Sequence, residues 1–317
     1  MITATGTRAE ARKYLAGKWN KGALIAFCYF IVEWLLELVG IGLKNNKALY
    51  TAYQIIFFII SVPISYGFIV TFIRLKRGES VEAFDFLKIG FSNFSRAWSI
   101  AWNKFLKMII PIILMVLSII LLATTVIFGL TNDILLRASE AKIRTDKAEV
   151  KEEAQLAYFE AQNNYNSNPS TSNYNALKEA KNRLEAVKSD VNSFTKIAPK
   201  KNNNGFPLVI FILAIILYIA SVFYMTVKSL SLSLSSFIAY DNDNMSGKES
   251  CELSQKLMKG NKGNLFVLSL SFIGWAILTV FTLCIGTFWL IAYTNVSVIC
   301  FYETLANKDT EISIENE

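Results

Sequence analysis

Apolar positions in this chain come in long unbroken blocks, not in the alternating or 3.6-residue patterns of a water-soluble core. Met108–Leu130 (MIIPIILMVLSIILLATTVIFGL) runs 23 residues without a charged side chain. At about 1.5 Å per residue, a helix that long covers the ~30 Å hydrocarbon core of a bilayer. Blocks of this kind predict six spans: Gly22–Leu43, Tyr50–Ile73, Met108–Leu130, Phe206–Val227, Leu265–Gly286 and Thr287–Leu305. The last two share one run of 38 residues, Leu265–Tyr302. As a single helix it would be about 57 Å long, nearly twice the core thickness. It must turn back, and Cys284-Ile285-Gly286 holds the only glycine near its middle.

Between the third and fourth spans the pattern changes. Residues 131–205 are polar, with heptad spacing in their second half: Leu177, Leu184 and Val191 at one position, Ala180, Val187 and Phe194 at the other. The first half is looser. Leu136, Ile143, Val150 and Ala157 recur every seven residues, and Ala154 and Ala161 join late. Asn163–Asn173 (NNYNSNPSTSN) breaks the two halves apart. The pattern predicts an antiparallel helical hairpin, coiled-coil-like in its seam. A seam alone does not separate a spacer that packs only on itself from a docking arm for a protein partner. The predicted fold is all-α: a six-span transmembrane bundle with a helical-hairpin insertion. Its parts are 1–130, 131–205 and 206–317.

Charge adds an orientation. The tail before the first span carries five Lys/Arg, the 44–49 loop two, the 74–107 segment seven and the 228–262 segment five. Positively charged short segments stay in the cytoplasm, so both termini are expected inside and 131–205 outside. That long segment has twelve Lys/Arg against ten Asp/Glu, but long loops cross largely regardless of charge. The net charge of +7 thus reflects membrane topology, and no nucleic-acid partner is expected. No cleavable signal peptide is expected, because the first apolar block is of full spanning length and lacks an A-x-A site. The prediction is a multi-pass protein of a bacterial cell membrane. Heavy use of Asn, Lys and Ile agrees with an AT-rich bacterial genome.

Composition narrows the chemistry. Apolar residues make up 53% of the chain and the mean hydropathy is +0.37, both outside the range usual for soluble domains. There is no histidine, which excludes Ser-His-Asp triads and His-based metal sites. The four cysteines show no C-x-x-C spacing and read as small buried hydrophobes. No metal or cofactor is expected, nor an enzyme.

Two segments beside the spans read as interfacial. Ser246-Gly-Lys-Glu249 fits a capping box that opens a short helix. That helix carries Leu253, Leu257 and Met258 on one face and Lys256, Lys259 and Lys262 around the other, with Gly260 ending it. The three lysines are candidate lipid-headgroup contacts. Residues 80–107 carry Phe84, Phe86, Leu87, Phe91, Phe94, Trp98 and Trp102 beside Lys88, Arg96 and Lys104. That mixture suits the headgroup layer, either as a membrane-skimming linker or as a lipid-binding segment.

Several short motifs carry a resemblance. They are Leu257-Met-Lys-Gly-Asn-Lys262, Leu268-Ser-Leu-Ser-Phe-Ile-Gly-Trp275, Phe288-Trp-Leu-Ile-Ala-Tyr293 and Phe301-Tyr-Glu-Thr-Leu305, with Ala11–Gly17, Arg77-Gly-Glu79 and Phe86–Phe91 earlier. Together they resemble the bacterial integral-membrane family called domain of unknown function 975. The resemblance covers most of the chain except 131–205, which looks like an insertion, and it implies no particular activity. Family members tend to have proline where Ala292 stands and a Pro-Gly pair where Leu213-Ala-Ile runs here.

Glu33 and Glu37 lie inside the first span, four residues apart on one helix face. An acid at that depth costs several kcal/mol unless it is paired, protonated or hydrated. Glu33 is about 16 Å past the inner edge, and Asn295 on the sixth span has a similar expected depth. The three form a candidate intramembrane polar site, either an ion or proton path or glue between helices. Three functional readings follow. One is an accessory, scaffold or immunity-type component. Another is a transporter or channel using Glu33 and Glu37. The third is a lipid-handling protein.

Overall fold

The computed structural model describes residues 3–196 and 205–315, which are helical throughout their ordered elements and contain no strand. In chain order the helices are α1 (Ala4–Leu15), α2 (Trp19–Leu43), α3 (Lys47–Lys76), α4 (Asp85–Ser92), α5 (Phe94–Ser167) and α6 (Thr171–Lys196). They continue with α7 (Gly205–Leu232), α8 (Ser235–Asp241), α9 (Gly247–Leu257), α10 (Lys262–Leu270), α11 (Ile273–Phe281) and α12 (Thr287–Glu315). Among the described residues six helical stretches are long and apolar enough to cross a membrane, in the places predicted. The all-α membrane bundle is therefore the fold. Contacts divide the chain into two compact units: residues up to Ile113 together with Ser221 onward, and Leu114–Ala220.

The first unit is built around α3 and α12. Its fully buried side chains include Ile25, Phe72, Leu234, Met258, Leu268, Ile299 and Phe301. Small residues let the helices approach, as in other membrane bundles. Gly22 of α2 faces Ala292 of α12 so closely that an added Cβ would lie 2.9 Å from the alanine methyl. Gly67 of α3 and Gly90 of α4 make a tighter crossing. A Cβ on Gly67 would meet the Phe86 carbonyl and, at 2.7 Å, the Gly90 amide. One on Gly90 would strike the Pro63 carbonyl. Asn46 caps α3 by accepting from the Ala48 and Leu49 amides at 3.1 and 3.2 Å, which closes the short turn from α2.

The segment 80–107, expected at the headgroup layer, divides its aromatic and apolar residues between the bundle and the surface. Phe86, Ile89, Ala97 and Ile100 are buried in the bundle, whereas Phe84, Phe91 and Trp102 are exposed. One face of the segment packs on α3, and the other leaves Phe84, Phe91 and Trp102 at the surface. The capping box at α9 forms as predicted: Ser246 Oγ accepts from the Glu249 amide at 3.3 Å, and Glu249 Oε2 accepts from the Ser246 amide at 2.8 Å.

The fifth span is broken. α10 and α11 are separated at Ser271-Phe272, where Ser271 Oγ donates back to the Leu268 carbonyl at 2.6 Å, a bond that bends helices. The return turn falls at Thr282–Gly286, as expected, but glycine does not supply its handedness. Leu283 and Cys284 take the positive φ values, 50° and 65°. Gly286 serves close approach instead: its amide donates to Thr282 Oγ1 at 2.9 Å, and a Cβ would stand 2.8 Å from that oxygen.

In the second unit α5 and α6 are joined by Lys147–Asp190 at 2.9 Å and by the rings of Tyr165 and Tyr174. The break falls between Ser167 and Thr171, and Ser170 Oγ accepts the Asn173 amide at 3.2 Å. Leu177, Ala180, Leu184, Val187 and Val191 are the sheltered positions of α6, as its heptads predict, and Phe194 lies outside the residues whose side chains are described. On α5 the register differs. Leu136, Ile143, Val150 and Ala157 are exposed, and the seam follows Lys147, Lys151, Ala154, Tyr158, Ala161 and Tyr165. Charged and aromatic side chains in that seam hid it from an apolar count.

Candidate functional site

One polar arrangement and one aromatic cavity mark the first unit. The polar arrangement joins helix ends. Arg77, just past α3, grips Asp241 at the end of α8 with both terminal nitrogens, at 2.6 and 2.9 Å. Tyr302 of α12 donates to the same carboxylate at 2.9 Å, and Glu303 pairs with Lys76 and, at 3.4 Å, with Arg77. The Asp241 carboxylate holds the Arg77 guanidinium well above its ordinary range. With each cation matched by an acid, this cluster is a clamp between α3, α8 and α12.

The cavity lies beside the broken span. It has a volume of ≈ 380 Å³ and is lined by Trp19 of α2, Trp275, Leu278 and Thr279 of α11, and Trp289, Leu290 and Tyr293 of α12. Arg12 of α1 lines it too, donating to Tyr293 Oη at 3.2 Å. Arg8, one turn earlier, donates to the Ser271 carbonyl at 3.4 Å, at the break itself, and accepts from Tyr293 Oη through its own carbonyl. Arg12 forms no ion pair among the described residues. The outer face of α11 is apolar and exposed at Ile277, Leu278, Val280 and Phe281. Such a place suits an amphipathic anion, with a chain along the indoles and a charged head at the arginines.

The sequence-predicted residues are not brought together. Glu33 is half-buried, and its Oε1 is enclosed without a hydrogen bond. Tyr29, one turn earlier, shares its hydrogen bond with Ser65 instead, at 3.2 Å. Glu37 is exposed. Asn295 donates to the Ile291 carbonyl of its own helix at 2.8 Å. Its expected depth is corrected by the Gly22–Ala292 contact. Ala292 is level with the N-terminal end of α2, so Asn295 lies beyond that end and Glu33 about 16 Å the other way. Lys256 and Lys259 are exposed and Lys262 is half-buried, while α9, which ends with Lys256 in its last turn, buries Cys251 and Ser254 in the unit.

The arginines and tryptophans of the cavity were not singled out by sequence reasoning. Trp275, Trp289 and Tyr293 nonetheless fall inside two of the quoted motifs, Leu268–Trp275 and Phe288–Tyr293. Comparison with known proteins bears on those motifs. Residues 186–309 match the family model described as protein of unknown function (DUF975), which supports the family resemblance. The match holds the cavity walls from α11 and α12, and the earlier motifs at Ala11–Gly17, Arg77–Glu79 and Phe86–Phe91 lie outside it. No match to the chain is found among curated proteins or among solved structures.

Proposed function

We propose that this membrane protein is a non-enzymatic, lipid-handling accessory component that holds one anionic lipid between α1, α11 and α12. The observation that carries the reading is the tryptophan-walled cavity with the unpaired Arg12 at its rim. An acyl chain gains little by leaving one apolar environment for another, so selectivity would rest on the arginine and on shape. The exposed Lys256 and Lys259 would add headgroup attraction of the general kind that basic segments provide. An accessory, scaffold or immunity-type role alongside another membrane system is the setting we infer for it, with the 131–205 arm facing outward toward a protein partner.

The test is crosslinking of the full chain in nanodiscs with a phosphatidylglycerol that carries a photoreactive acyl chain. Crosslinks should concentrate on Leu278 and Leu290 and fall when Thr279→Trp fills the cavity or Arg12→Gln removes the charge. Labelling spread evenly around the bundle and unchanged in both variants would leave only ordinary surrounding lipid.

A second reading, transport through Glu33, is favoured by the enclosed and unbonded Glu33 Oε1. Glu33→Gln distinguishes it. Loss of proton or ion flux in vesicles, with the protein still folded, supports transport, and unchanged flux removes it.

A further inference from the structure

A second cavity, of ≈ 230 Å³, lies between α3, α5 and α8, separate from the tryptophan-walled one. Its lining includes Lys104, Ser236, Ser61, Ser65 and Tyr66, set among Val62, Ile69 and Ile100. Lys104 Nζ donates to Ser236 Oγ at 3.2 Å. No carboxylate lines the cavity, and no ion pair to Lys104 occurs among the described residues. Neighbouring cations differ. Arg96 is held by Asp243 at 2.7 Å and Lys107 by Glu252 at 3.7 Å. Tyr66 is 4% exposed, and its hydroxyl is enclosed without a hydrogen bond. A buried hydroxyl without a partner is unfavourable, and an uncompensated buried cation more so, unless something answers them.

We infer that this cavity binds a phosphate-bearing anion. The Lys104 ammonium and the Tyr66 and Ser236 hydroxyls supply donors for a phosphate oxygen, while Ser61 Oγ already donates to the Phe58 carbonyl at 3.2 Å and Ser65 Oγ shares a bond with Tyr29 Oη at 3.2 Å. The volume is several times the ~30 Å³ share of a water, which leaves room for the phosphate and a small substituent. Lys104 stands four residues before Met108, where the third apolar block begins. A lipid headgroup and a free phosphate share this chemistry.

The test uses the full chain in an uncharged detergent, titrated with short-chain phosphatidic acid, with inorganic phosphate and with uncharged short-chain diacylglycerol, read by thermal shift. Saturable binding of phosphatidic acid alone identifies a headgroup site, and binding of both phosphate probes identifies a free-phosphate site. Lys104→Gln should weaken either by about tenfold or more, the loss of one charge-assisted bond. Tyr66→Phe and Ser236→Ala, which remove one oxygen each, should weaken it severalfold, and they decide the matter if Lys104→Gln does not fold. Lys47→Gln, which removes an exposed cation outside both cavities, should leave binding unchanged. No saturable binding of either phosphate probe, or affinities unaltered in the Lys104, Tyr66 and Ser236 variants, overturns the proposal.

Discussion

Trp98 donates its indole N–H to the Ile59 carbonyl at 3.2 Å, the carbonyl that Pro63 leaves without its helical donor. Proline has no N–H, so residue 59 loses its i+4 partner in the middle of α3. A buried carbonyl without a donor is costly, and a side chain from the neighbouring helix α5 satisfies it here. Trp98→Phe keeps the edge contact with Phe58, whose ring lies 5.6 Å away, and removes only the donor. It should destabilise the folded protein by about 1–2 kcal/mol. Pro63→Ala restores the helical donor, so the same tryptophan substitution should cost much less in that background. Thermal unfolding of the four proteins in one detergent measures the coupling. Equal losses with and without proline would show that the indole bond does not answer the missing amide.

The crossing of α3 and α4 makes a sharper demand on volume. Gly67→Ala places a methyl against the Phe86 carbonyl and the Gly90 amide, backbone atoms that cannot rotate away. Overpacking of this kind costs typically 1–3 kcal/mol and sometimes more. Gly42, near the end of α2, has nothing within 4 Å of a built Cβ. Gly42→Ala should be neutral or slightly stabilising, because alanine is the better helix former. Amide exchange in α4 should rise in the Gly67 variant and not in the Gly42 variant. Similar behaviour of the two would mean that α4 does not rest on that contact.

What the sequence disclosed and what it hid have one physical cause. Charge-free runs announce spans because the bilayer admits little else, so six crossings and the return near Cys284 were legible. The capping box at Ser246 and Glu249 was legible because it is local. Inside an apolar run, however, the lipid-facing and core-facing sides are chemically alike, and periodicity no longer says which residues meet. The Gly67–Gly90 crossing, the break at Ser271 and the grouping of Trp19, Trp275 and Trp289 were invisible for that reason. The Arg77–Asp241 pair spans 164 residues and left no local trace. Glu33 and Asn295 were matched by counting from loop ends, which fails because α12 starts part-way along α2, beside Phe27 and Phe30.

The capping box also predicts a pH response. Glu249 is held below the usual carboxylate range by the Ser246 amide and then the Ser246 hydroxyl. A carboxylate depressed in the folded state stabilises it above the unfolded value, and the contribution is lost as pH falls through the folded value. The first turn of α9 should therefore loosen on acidification, seen as faster amide exchange at Ser250 after correction for intrinsic rates. Glutamine also serves at this position of a capping box but does not titrate. In Glu249→Gln the acid-dependent component should vanish while α9 stays formed at neutral pH. An identical acid response in that variant would assign it to another group.

The last prediction concerns sidedness. Lys and Arg crowd the segments at 74–107 and 228–262, so these are expected inside and the turn between α5 and α6 outside. Cys28, Cys251 and Cys300 are buried, and only Cys284 is exposed, so Cys284→Ala gives a background poor in reactive thiol. Ser80→Cys and Lys259→Cys place single thiols at exposed positions in these two segments, and Asn168→Cys places one at the α5–α6 turn. In intact cells a membrane-impermeant maleimide should label position 168 and leave 80 and 259 unlabelled until the membrane is opened. The reverse pattern would invert the topology and move the arm to the cytoplasm, where a partner would have to be sought instead. Deleting 135–200 with a short Gly/Ser bridge then asks what the arm is for. The residue contacts described within it run between α5 and α6, so the remaining spans should still insert and survive extraction. A protein that is degraded without the arm would make it part of the fold. One that inserts normally would leave the arm a separable element, and binding partners recovered with the intact chain but not with the deletion would identify what it docks.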